Sequence, residues 1–492
     1  MTFMVGSFMV LRNFLHERLL ESSQEVGLTF EGKDWTFEDL DREAVFYGER
    51  LVSLDVRSGS RVALHIHNCA EAVFLFHALL YIGVEVVCVN TRLTKDEIAW
   101  QVAHADVQLL VTTDSDFLLD DVAVVSVNQL RMCSGIPFTP KALFQAEDVA
   151  TIMFTSGTTG KPKAVLQTYG NHYFSAIYSN ENLGLSRGDS WLCMMPLYHI
   201  SGLSILFRSV VSGFRVLLHH KFSSDMANKA ISCGEVTIAS VVTNMLTRML
   251  DDNIDYSNHF RGFLLGGGSA PLTLLKTCRE RDISVYQTYG MTETCSQIVT
   301  LSAKDMLVKI GSAGKALGDC QVRIVDENNK VCAPYVSGEI VVKGAVVSPG
   351  YLHGEERLEQ EWFHTGDIGY LDDDQMLYVK DRRSDLIISG GENVYPAEIE
   401  AVLLSHHAVL EAGVVGVNDE YWGSVPIAFV FCDPKVKVIP EELRALCEEK
   451  LAKYKVPKSF YMTGELPRNA TGKLVRRDLQ DMLKEMDKNM KP

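Results

Sequence analysis

The sequence predicts an α/β protein whose large N-terminal domain combines stacked α/β subdomains with a β-rich part and is followed by a small α+β C-terminal domain. Three observations support this fold class. The chain has 492 residues, and domains usually contain about 100–200 residues, so several domains are expected. Apolar strands alternate with helices from residue 58 onward. After about residue 310 this alternation gives way to shorter strands with Gly and Asp turns.

The alternating region supplies most of the predicted elements. Strands rich in Val, Ile and Leu are expected at residues 61–66, 84–89, 107–112, 215–218, 237–242, 261–265 and 285–289. Helices are expected at residues 70–82, from 94 to about 105, and from 270 onward. Thr94 and Glu97 form the T-x-x-E pattern that caps a helix N-terminus. This alternation is typical of parallel sheets covered on both faces, and its length favours two stacked subdomains.

The C-terminal part reads as a separate unit with its own core. Its predicted elements are helices from Pro396 and from Pro440 and strands at residues 413–417 and 427–431. We therefore place a large domain at residues 1–383 and a small one at residues 385–492.

Charge and composition exclude several classes of protein. The formal net charge of −16 argues against a broad nucleic-acid-binding face, which needs basic residues to neutralise phosphates. It equally disfavours docking on anionic membranes. The 11 cysteines form no CxxC pair and are expected to be free thiols in a reducing cytoplasm. The apolar residues 3–11 are followed at once by Arg12, which favours the lead-in to an amphipathic helix over a signal peptide.

The clearest local motif is TSGTTGKPK at residues 155–163. It follows an apolar run, so a strand should lead directly into a loop of Gly, Ser and Thr with nearby lysines. Glycines let backbone N–H groups converge on an anion, hydroxyls add donors and lysine adds charge. The spacing differs from a Walker A loop, because two residues separate Gly157 from Gly160 and no Ser or Thr follows Lys161. The motif predicts a polyphosphate site.

Weaker motifs follow other strands. Gly266–Gly268 suits close approach by a flat ring or a phosphate, although a tight strand–helix turn explains it equally well. Glu293 lies in a YGMTET segment just beyond a strand, where it either holds Mg²⁺ or is an ordinary solvated carboxylate. Asp367 follows a His-Thr-Gly turn and suits ribose hydroxyls. Lys473, beside Gly472, reads by itself as a surface charge.

Taken in this order, the segments resemble the adenylate-forming superfamily of acyl-CoA synthetases, luciferases and peptide-synthetase adenylation domains. The resemblance covers residues 28–480, and its core signature is TSGTTGKPK. Within the superfamily the chain is most similar to the ligases that act on 2-succinylbenzoate in menaquinone biosynthesis. The segments that suggest this are residues 167–172, 196–203, 289–297 and 387–396.

The resemblance implies an AMP-forming ligase that uses ATP with Mg²⁺ and coenzyme A (CoA), and it assigns roles to individual residues. The implied phosphate-binding residues are Thr155, Ser156, Gly157, Thr158, Thr159 and Lys163. The implied AMP-binding residues are Gly267, Gly268, Ser269, Gln287, Thr288, Tyr289, Gly290, Asp367 and Arg382. Thr292, Glu293 and Lys473 would be catalytic, with Glu293 also the metal ligand.

The acid and CoA sites follow in the same way. His199 lines the acyl pocket in the family, and we expect His199, Ser201 and Arg208 to hold the second carboxylate of the acid; a surface cation is the alternative for Arg208. Gly390 and Gly391 would approach CoA. Because these glycines and Lys473 belong to one domain and serve different steps, that small domain is expected to be mobile about a hinge at Ser384.

Three other functions remain open at this point. Another aryl- or acyl-CoA synthetase of the same fold would share every nucleotide-binding motif. An adenylate-binding regulator would not need Lys473, and a dinucleotide oxidoreductase would need a GxGxxG fingerprint, which is missing after the first strand. The expected partners are ATP, CoA and the acid, and the apolar helices are compatible with a homodimer.

Overall fold

The computed structural model describes residues 2–5, 8–155, 162–252, 254–267, 270, 272–326, 328–354, 358–359, 361–381, 387–467 and 476–489. The chain divides into two compact units. The first comprises Met1–Thr91, Val102–Phe154 and Ala164–Asp381. The second comprises Arg92–Gln101, Thr155–Lys163 and Arg382–Pro492. The hinge expected at Ser384 lies outside the described residues, so the predicted domain boundary there stays a prediction.

The helices of the first two-thirds of the chain lie between apolar strands, as their sequence pattern predicts. They are α1 (Phe14–Ser22), α2 (Phe37–Ser53), α3 (Ala70–Ile82), α4 (Lys95–His104), α5 (Val127–Met132), α6 (Tyr169–Leu183), α7 (Ile200–Ser212), α8 (Ser224–Ser232), α9 (Thr243–Leu250) and α10 (Leu272–Glu280). Thr94 and Glu97 form the expected reciprocal cap, since each side chain accepts a hydrogen bond from the other's backbone N–H. Helix α3 is largely apolar and is buried throughout apart from Glu71.

Two large sheets form the core of the first unit. The seven-stranded sheet has the spatial order β21 (Gly350–Tyr351), β11 (Lys163–Thr168), β10 (Val149–Thr155), β6 (Glu85–Cys88), β5 (Arg61–His65), β7 (Leu109–Thr112), β8 (Ala123–Ser126). The nine-stranded sheet has the order β18 (Lys315–Ala316), β17 (Ser296–Thr300), β16 (Val285–Met291), β15 (Gly262–Gly266), β14 (Ile238–Val242), β12 (Ser190–Cys193), β13 (Arg215–Leu218), β3 (Val26–Phe30), β4 (Lys33–Thr36). Their central strands are parallel, which confirms the predicted α/β class with two stacked subdomains.

Two antiparallel sheets complete the first unit. The β-rich part contains β19 (Gln321–Val325), β20 (Gly338–Lys343), β22 (Leu358–Glu359), β23 (Trp362–Leu371) and β24 (Leu377–Asp381). The other antiparallel sheet contains β1 (Thr2–Val5), β2 (Phe8–Arg12) and β9 (Leu143–Gln145). The apolar N-terminus thus forms strands, and helix α1 begins only after them, at Phe14, where the Asn13 side chain caps it.

The second unit contains an antiparallel sheet covered by helices. Its strands are β25 (Ile387–Ser389), β26 (Glu392–Val394), β27 (Val409–Asp419), β28 (Gly423–Cys432) and β29 (Phe460–Met462), and its helices are α11 (Pro396–Leu404), α12 (Pro440–Lys450) and α13 (Arg476–Asn489). Proline occupies the first turn of α11 and of α12, where its missing N–H costs nothing. The α+β class predicted for this part is confirmed.

All eleven cysteines are free thiols, as expected. Across the described residues, the structure shows no helix that is both long and apolar enough to span a membrane.

Candidate active site

The predicted phosphate loop begins where a buried strand ends. Strand β10 is buried over most of its length, and its last residue, Thr155, is half-buried. Lys163 opens the next strand, β11. Several of the predicted site residues lie outside the described residues, and their roles stay predictions: Ser156, Gly157, Thr158, Thr159, Gly268, Ser269, Arg382 and Lys473.

A short turn after β16 carries Thr292 and Glu293. The turn spans Thr292–Thr294 and leads into β17. Its backbone is held from outside, because the Gln167 Nε2 donates to the Thr292 carbonyl at 2.8 Å and the Ser348 N–H donates to the Glu293 carbonyl at 2.8 Å. Gly290, just before the turn, is required sterically, since a Cβ there would lie 1.7 Å from the Ser296 carbonyl oxygen.

The Glu293 carboxylate is itself positioned. The Tyr351 hydroxyl donates to its Oε1 at 2.8 Å, and the other oxygen, Oε2, has no hydrogen-bond partner among the described residues. A half-buried carboxylate with one oriented and one available oxygen is suited to bind a hard divalent cation. The sequence motif identified Glu293, whereas nothing in the sequence links it to Tyr351, 58 positions away.

Two of the expected nucleotide-binding residues meet directly. The Tyr289 hydroxyl, at the end of β16, donates to Asp367 Oδ2 in β23 at 2.7 Å. Asp367 is 7% exposed, and its N–H donates to Thr365 Oγ1 at 3.0 Å. The Asp367 carboxylate is therefore fixed in orientation.

The remaining described residues of the expected AMP site lie on neighbouring strands. Gln287 and Thr288 are in β16, beside β15, and the Thr288 hydroxyl donates to the Val299 carbonyl. Gln287 Nε2 is buried and has no partner within the described part of the chain. Gly267, which follows β15, has a φ of +85°, a left-handed conformation that a side chain would strain.

Helix α7 carries the residues expected to bind the acid. His199 is its N-cap residue, and Ser201 lies in its first turn. Ser201, Ser204 and Arg208 are spaced i, i+3 and i+7, so they share one face over about 10 Å of helix. Ser204 was not predicted; its buried hydroxyl has no partner among the described residues, and only its helical spacing from Ser201 and Arg208 could have revealed it.

Arg208 is a buried cation and not the surface residue of the alternative interpretation. Its side chain is 1% exposed, its Nη2 donates to Ser296 Oγ at 3.1 Å, and its guanidinium lies 5.2 Å from the centroid of the Trp191 ring. Burial lowers the pKa of Arg208 to about 10, so it stays charged at neutral pH. The described residues provide no carboxylate to pair with it, and its Nε is without a partner in the same part of the chain.

The two expected CoA-binding glycines form the tip of a hairpin in the second unit. Gly390 and Gly391 connect β25 to β26 with φ values of +58° and +84°. The Gly390 N–H donates to the Trp422 carbonyl at 2.9 Å, and a Cβ on Gly390 would lie 2.6 Å from the Trp422 ring. The sequence identified the glycines but not the tryptophan beside them.

The fold and comparison with known families together define the class of protein. Residues 16–352 match the family described as AMP-binding enzyme, and residues 398–473 match the AMP-binding enzyme C-terminal domain. The chain therefore belongs to the AMP-binding enzyme family, and the predicted resemblance is confirmed.

Individual relatives are similar over nearly the whole chain. The 2-succinylbenzoate–CoA ligase of Bacillus cereus is 48% identical over 480 residues, which are 96% of this chain and 99% of that protein. A double mutant of the Bacillus subtilis o-succinylbenzoate CoA synthetase, bound with its product analogue OSB-NCoA, superposes with a TM-score of 0.93 at 45% identity and covers 96% of this chain and 99% of its own. The same enzyme in complex with ATP and magnesium ion gives 0.75 at 44% identity, over 96% and 100% of the two chains.

Proposed function

We propose that the protein is an ATP-dependent ligase that joins 2-succinylbenzoate to CoA in menaquinone biosynthesis, giving 2-succinylbenzoyl-CoA, AMP and diphosphate. The observation that carries this proposal is the 48% identity, over 96% of the chain, to a 2-succinylbenzoate–CoA ligase. Arg208, which is buried and has no carboxylate partner among the described residues, favours an acid with a second carboxylate over a simple fatty acid.

The chemistry requires activation of the acid before the thiol can react. A carboxylate oxygen attacks the α-phosphorus of ATP, a new P–O bond forms, and the bond to diphosphate breaks. The resulting acyl-adenylate has AMP as a good leaving group. We assign the β- and γ-phosphates to the loop at residues 155–163 and the charge that develops on the α-phosphate to Lys473 and Thr292.

We assign the AMP part to the strands that end near the Thr292–Thr294 turn. Asp367, fixed by Tyr289, accepts hydrogen bonds from the ribose hydroxyls, and Arg382 adds charge beside it. The adenine lies against Gly267–Ser269 and the backbone of residues 287–290. A fixed carboxylate loses little entropy on binding a diol, which favours tight binding.

Glu293 is the residue that fits Mg²⁺. Its Oε2 is available while Tyr351 orients its Oε1, and carboxylate oxygen is the ligand type that Mg²⁺ prefers. When bound, the ion would supply positive charge to the phosphates of ATP.

The acid site combines His199, Ser201 and Arg208. Only the aliphatic carboxylate of 2-succinylbenzoate enters the reaction, so the aromatic carboxylate needs fixed donors. A buried guanidinium binds a carboxylate through charge-assisted hydrogen bonds, which are stronger than neutral ones. We assign the aromatic carboxylate to Arg208, with His199 and Ser201 as the other expected donors to it.

In the second step the CoA thiol attacks the acyl carbonyl and AMP leaves. A thiol with a pKa near ~8.5 is a few per cent ionised at neutral pH, so no strong general base is required. We propose that Gly390 and Gly391 contact CoA and that the C-terminal domain moves about Ser384 between the two steps. We also propose that the enzyme acts in the cytoplasm. Whether it is a homodimer would be decided by analytical ultracentrifugation.

The test is to measure diphosphate release and thioester formation with ATP, CoA and a panel of acids. We expect both products with 2-succinylbenzoate and much less with benzoate or a fatty acid. Activity confined to benzoates without a succinyl arm would contradict the proposed substrate and favour another aryl-CoA synthetase. ATP binding without diphosphate release from any acid would favour a regulator.

A further inference from the structure

A chain of buried side chains runs beneath the Thr292–Thr294 turn and has no role in the chemistry described above. It links Thr151 in β10, Gln167 in β11, His172 in α6 and Cys295 after the turn. Their exposed fractions are 0%, 0%, 1% and 1%. Polar groups with so little access to water are retained at a cost unless each one is satisfied.

The contacts are continuous. Cys295 Sγ lies 3.1 Å from His172 Nδ1, and His172 Nε2 lies 2.7 Å from Thr151 Oγ1. Thr151 Oγ1 lies 2.7 Å from Gln167 Oε1, and Gln167 Nε2 lies 2.8 Å from the Thr292 carbonyl oxygen. The Phe207 ring stacks on the His172 ring with their centroids 3.8 Å apart, so the imidazole cannot turn freely.

The Thr292 carbonyl fixes the direction of every hydrogen bond in this chain. A carbonyl oxygen only accepts, so it takes the Gln167 amide N–H and leaves Oε1 facing Thr151. Oε1 also only accepts, so the Thr151 hydroxyl must donate to it and accept a hydrogen bond from the His172 Nε2–H. Burial lowers the pKa of His172 to about 3, and in the neutral imidazole Nδ1 then accepts from the Cys295 thiol.

The backbone at the far end of the chain is strained. Cys295 and Ser296 are consecutive non-glycine residues with φ values of +50° and +92°. Such conformations persist only where the surroundings hold them, and they concentrate at functional sites. The Ser175 hydroxyl holds this segment by donating to the Cys295 carbonyl at 2.6 Å.

We propose that Gln167, oriented by Thr151 and His172, is a positioning residue that sets the Thr292–Glu293 peptide for the adenylation step. The inference rests on the proposed function, because it assigns the turn to the phosphates and to Mg²⁺. The carbonyl between Thr292 and Glu293 accepts from Gln167 Nε2 at 2.8 Å and from the Cys295 N–H at 3.1 Å. Loss of Gln167 removes the only side-chain donor to this carbonyl among the described residues, so it loosens the peptide that joins Thr292 to Glu293. The thioester step does not use these two side chains and does not depend on the chain of hydrogen bonds.

The kinetic test uses Gln167→Met, which keeps the shape and removes the amide, together with Thr151→Val and Thr151→Ser. We expect Gln167→Met and Thr151→Val to slow adenylation about tenfold, the effect of losing one hydrogen bond. The Mg²⁺ concentration for half-maximal rate should rise, while thioester formation from preformed acyl-adenylate changes less than about threefold. Thr151→Ser should restore the rate, and the double variant should be no slower than Gln167→Met because both act through one chain.

Thr112→Val is the matched control. Thr112 is 1% exposed, lies in the same sheet as Thr151 and has its hydroxyl 3.1 Å from the ring of another buried histidine, His65. Its loss should lower stability without changing the Mg²⁺ requirement. Equal effects of Thr112→Val and Thr151→Val on adenylation, or an unchanged Mg²⁺ requirement in Gln167→Met, would overturn the positioning role.

A second measurement examines the chain without any assay of activity. In protein labelled with ¹⁵N at histidine, the signal that disappears in His172→Gln should belong to a neutral ring with its proton on Nε2 at pH 7. The opposite tautomer would overturn the proposed direction of the hydrogen bonds. If the wild-type protein has this tautomer but adenylates no acid, the proposed function is overturned and the inference fails with it. This outcome differs from one in which the wild-type protein is active and Gln167→Met behaves like it, which overturns only the inference.

Discussion

At the scale of single residues, Arg208 makes the sharpest prediction about substrate choice. Arg208→Met should raise the KM for 2-succinylbenzoate about 10- to 100-fold, because one charge-assisted hydrogen-bonded contact contributes about 1.5–3 kcal/mol. The KM for 4-oxo-4-phenylbutanoate, which lacks the aromatic carboxylate, should hardly change. Steady-state kinetics with both acids provide the measurement. Arg18→Lys is a control, since Arg18 is equally buried but donates to the carbonyls of Val210 and Val211. An unchanged KM in Arg208→Met would remove Arg208 from the acid site.

Some residues of the site could be predicted from the sequence, whereas their contacts could not. Glu293 and Asp367 could be predicted because their motifs are local, whereas their partners Tyr351 and Tyr289 lie 58 and 78 positions away. The burial of Arg208 could not be predicted either, since the sequence shows a helix with one cation and not what packs around it. Gln167 and His172 stood in a segment that suggested the family, but only their contacts link them to Thr292.

At the scale of elements, the β25–β26 hairpin makes a prediction about the CoA step. Gly390→Ala should destabilise the second unit by about 2–3 kcal/mol. Its left-handed backbone would be strained by about 1–2 kcal/mol, and the new methyl group would also clash with a neighbouring side chain. Its Cβ would lie 2.6 Å from the Trp422 ring. Gly423→Ala is the matched control: its φ is +77° and its nearest neighbour is 3.9 Å away, so only the strain remains. Urea unfolding and the two half-reactions provide the measurements, and we expect slower thioester formation in Gly390→Ala with adenylation unchanged. Equal destabilisation by the two substitutions would contradict a role for the Trp422 contact.

Element positions followed from the sequence wherever burial alone sets the pattern. The expected helix at residues 70–82 is α3 without any shift, and the strand at 215–218 is β13. Parallel strands with both faces covered need continuous apolar runs, which a single sequence displays. Strand β2 could not be predicted because it pairs with β9, more than 130 residues later, and β1 pairs with β2. Propensity gives little information about strands fixed by such distant partners.

At the scale of the whole molecule, the net charge of −16 describes the surface, while the expected ligands are anions bound by a few cations. Residues 450–477 contain eight Lys or Arg and one Glu, and the described site adds the buried Arg208. The overall charge therefore argues against a nucleic-acid-binding surface and says nothing about ATP, CoA or a dicarboxylic acid. Local charge at strand ends and in loops is the informative quantity for small anionic ligands.

Four buried histidines make the stability of the first unit depend on pH, and three of them have a strongly lowered pKa. Desolvation lowers the pKa of His65 and of His77 to about 4 and that of His172 to about 3, against 6.5 in the unfolded chain. Below pH 6.5 the unfolded state therefore binds more protons, so the stability present above that pH is lost as the pH falls. Each of these three histidines contributes to the slope of the free energy of unfolding against pH, by up to about 1.4 kcal/mol per pH unit. Together they contribute up to about 4 kcal/mol per pH unit. His77→Met should lower the pH slope of the free energy of unfolding by up to about 1.4 kcal/mol per pH unit in urea titrations between pH 5 and 6, whereas Leu79→Met on the same helix should leave that slope unchanged. A slope that stays the same in His77→Met would mean that this histidine is already protonated in the folded protein.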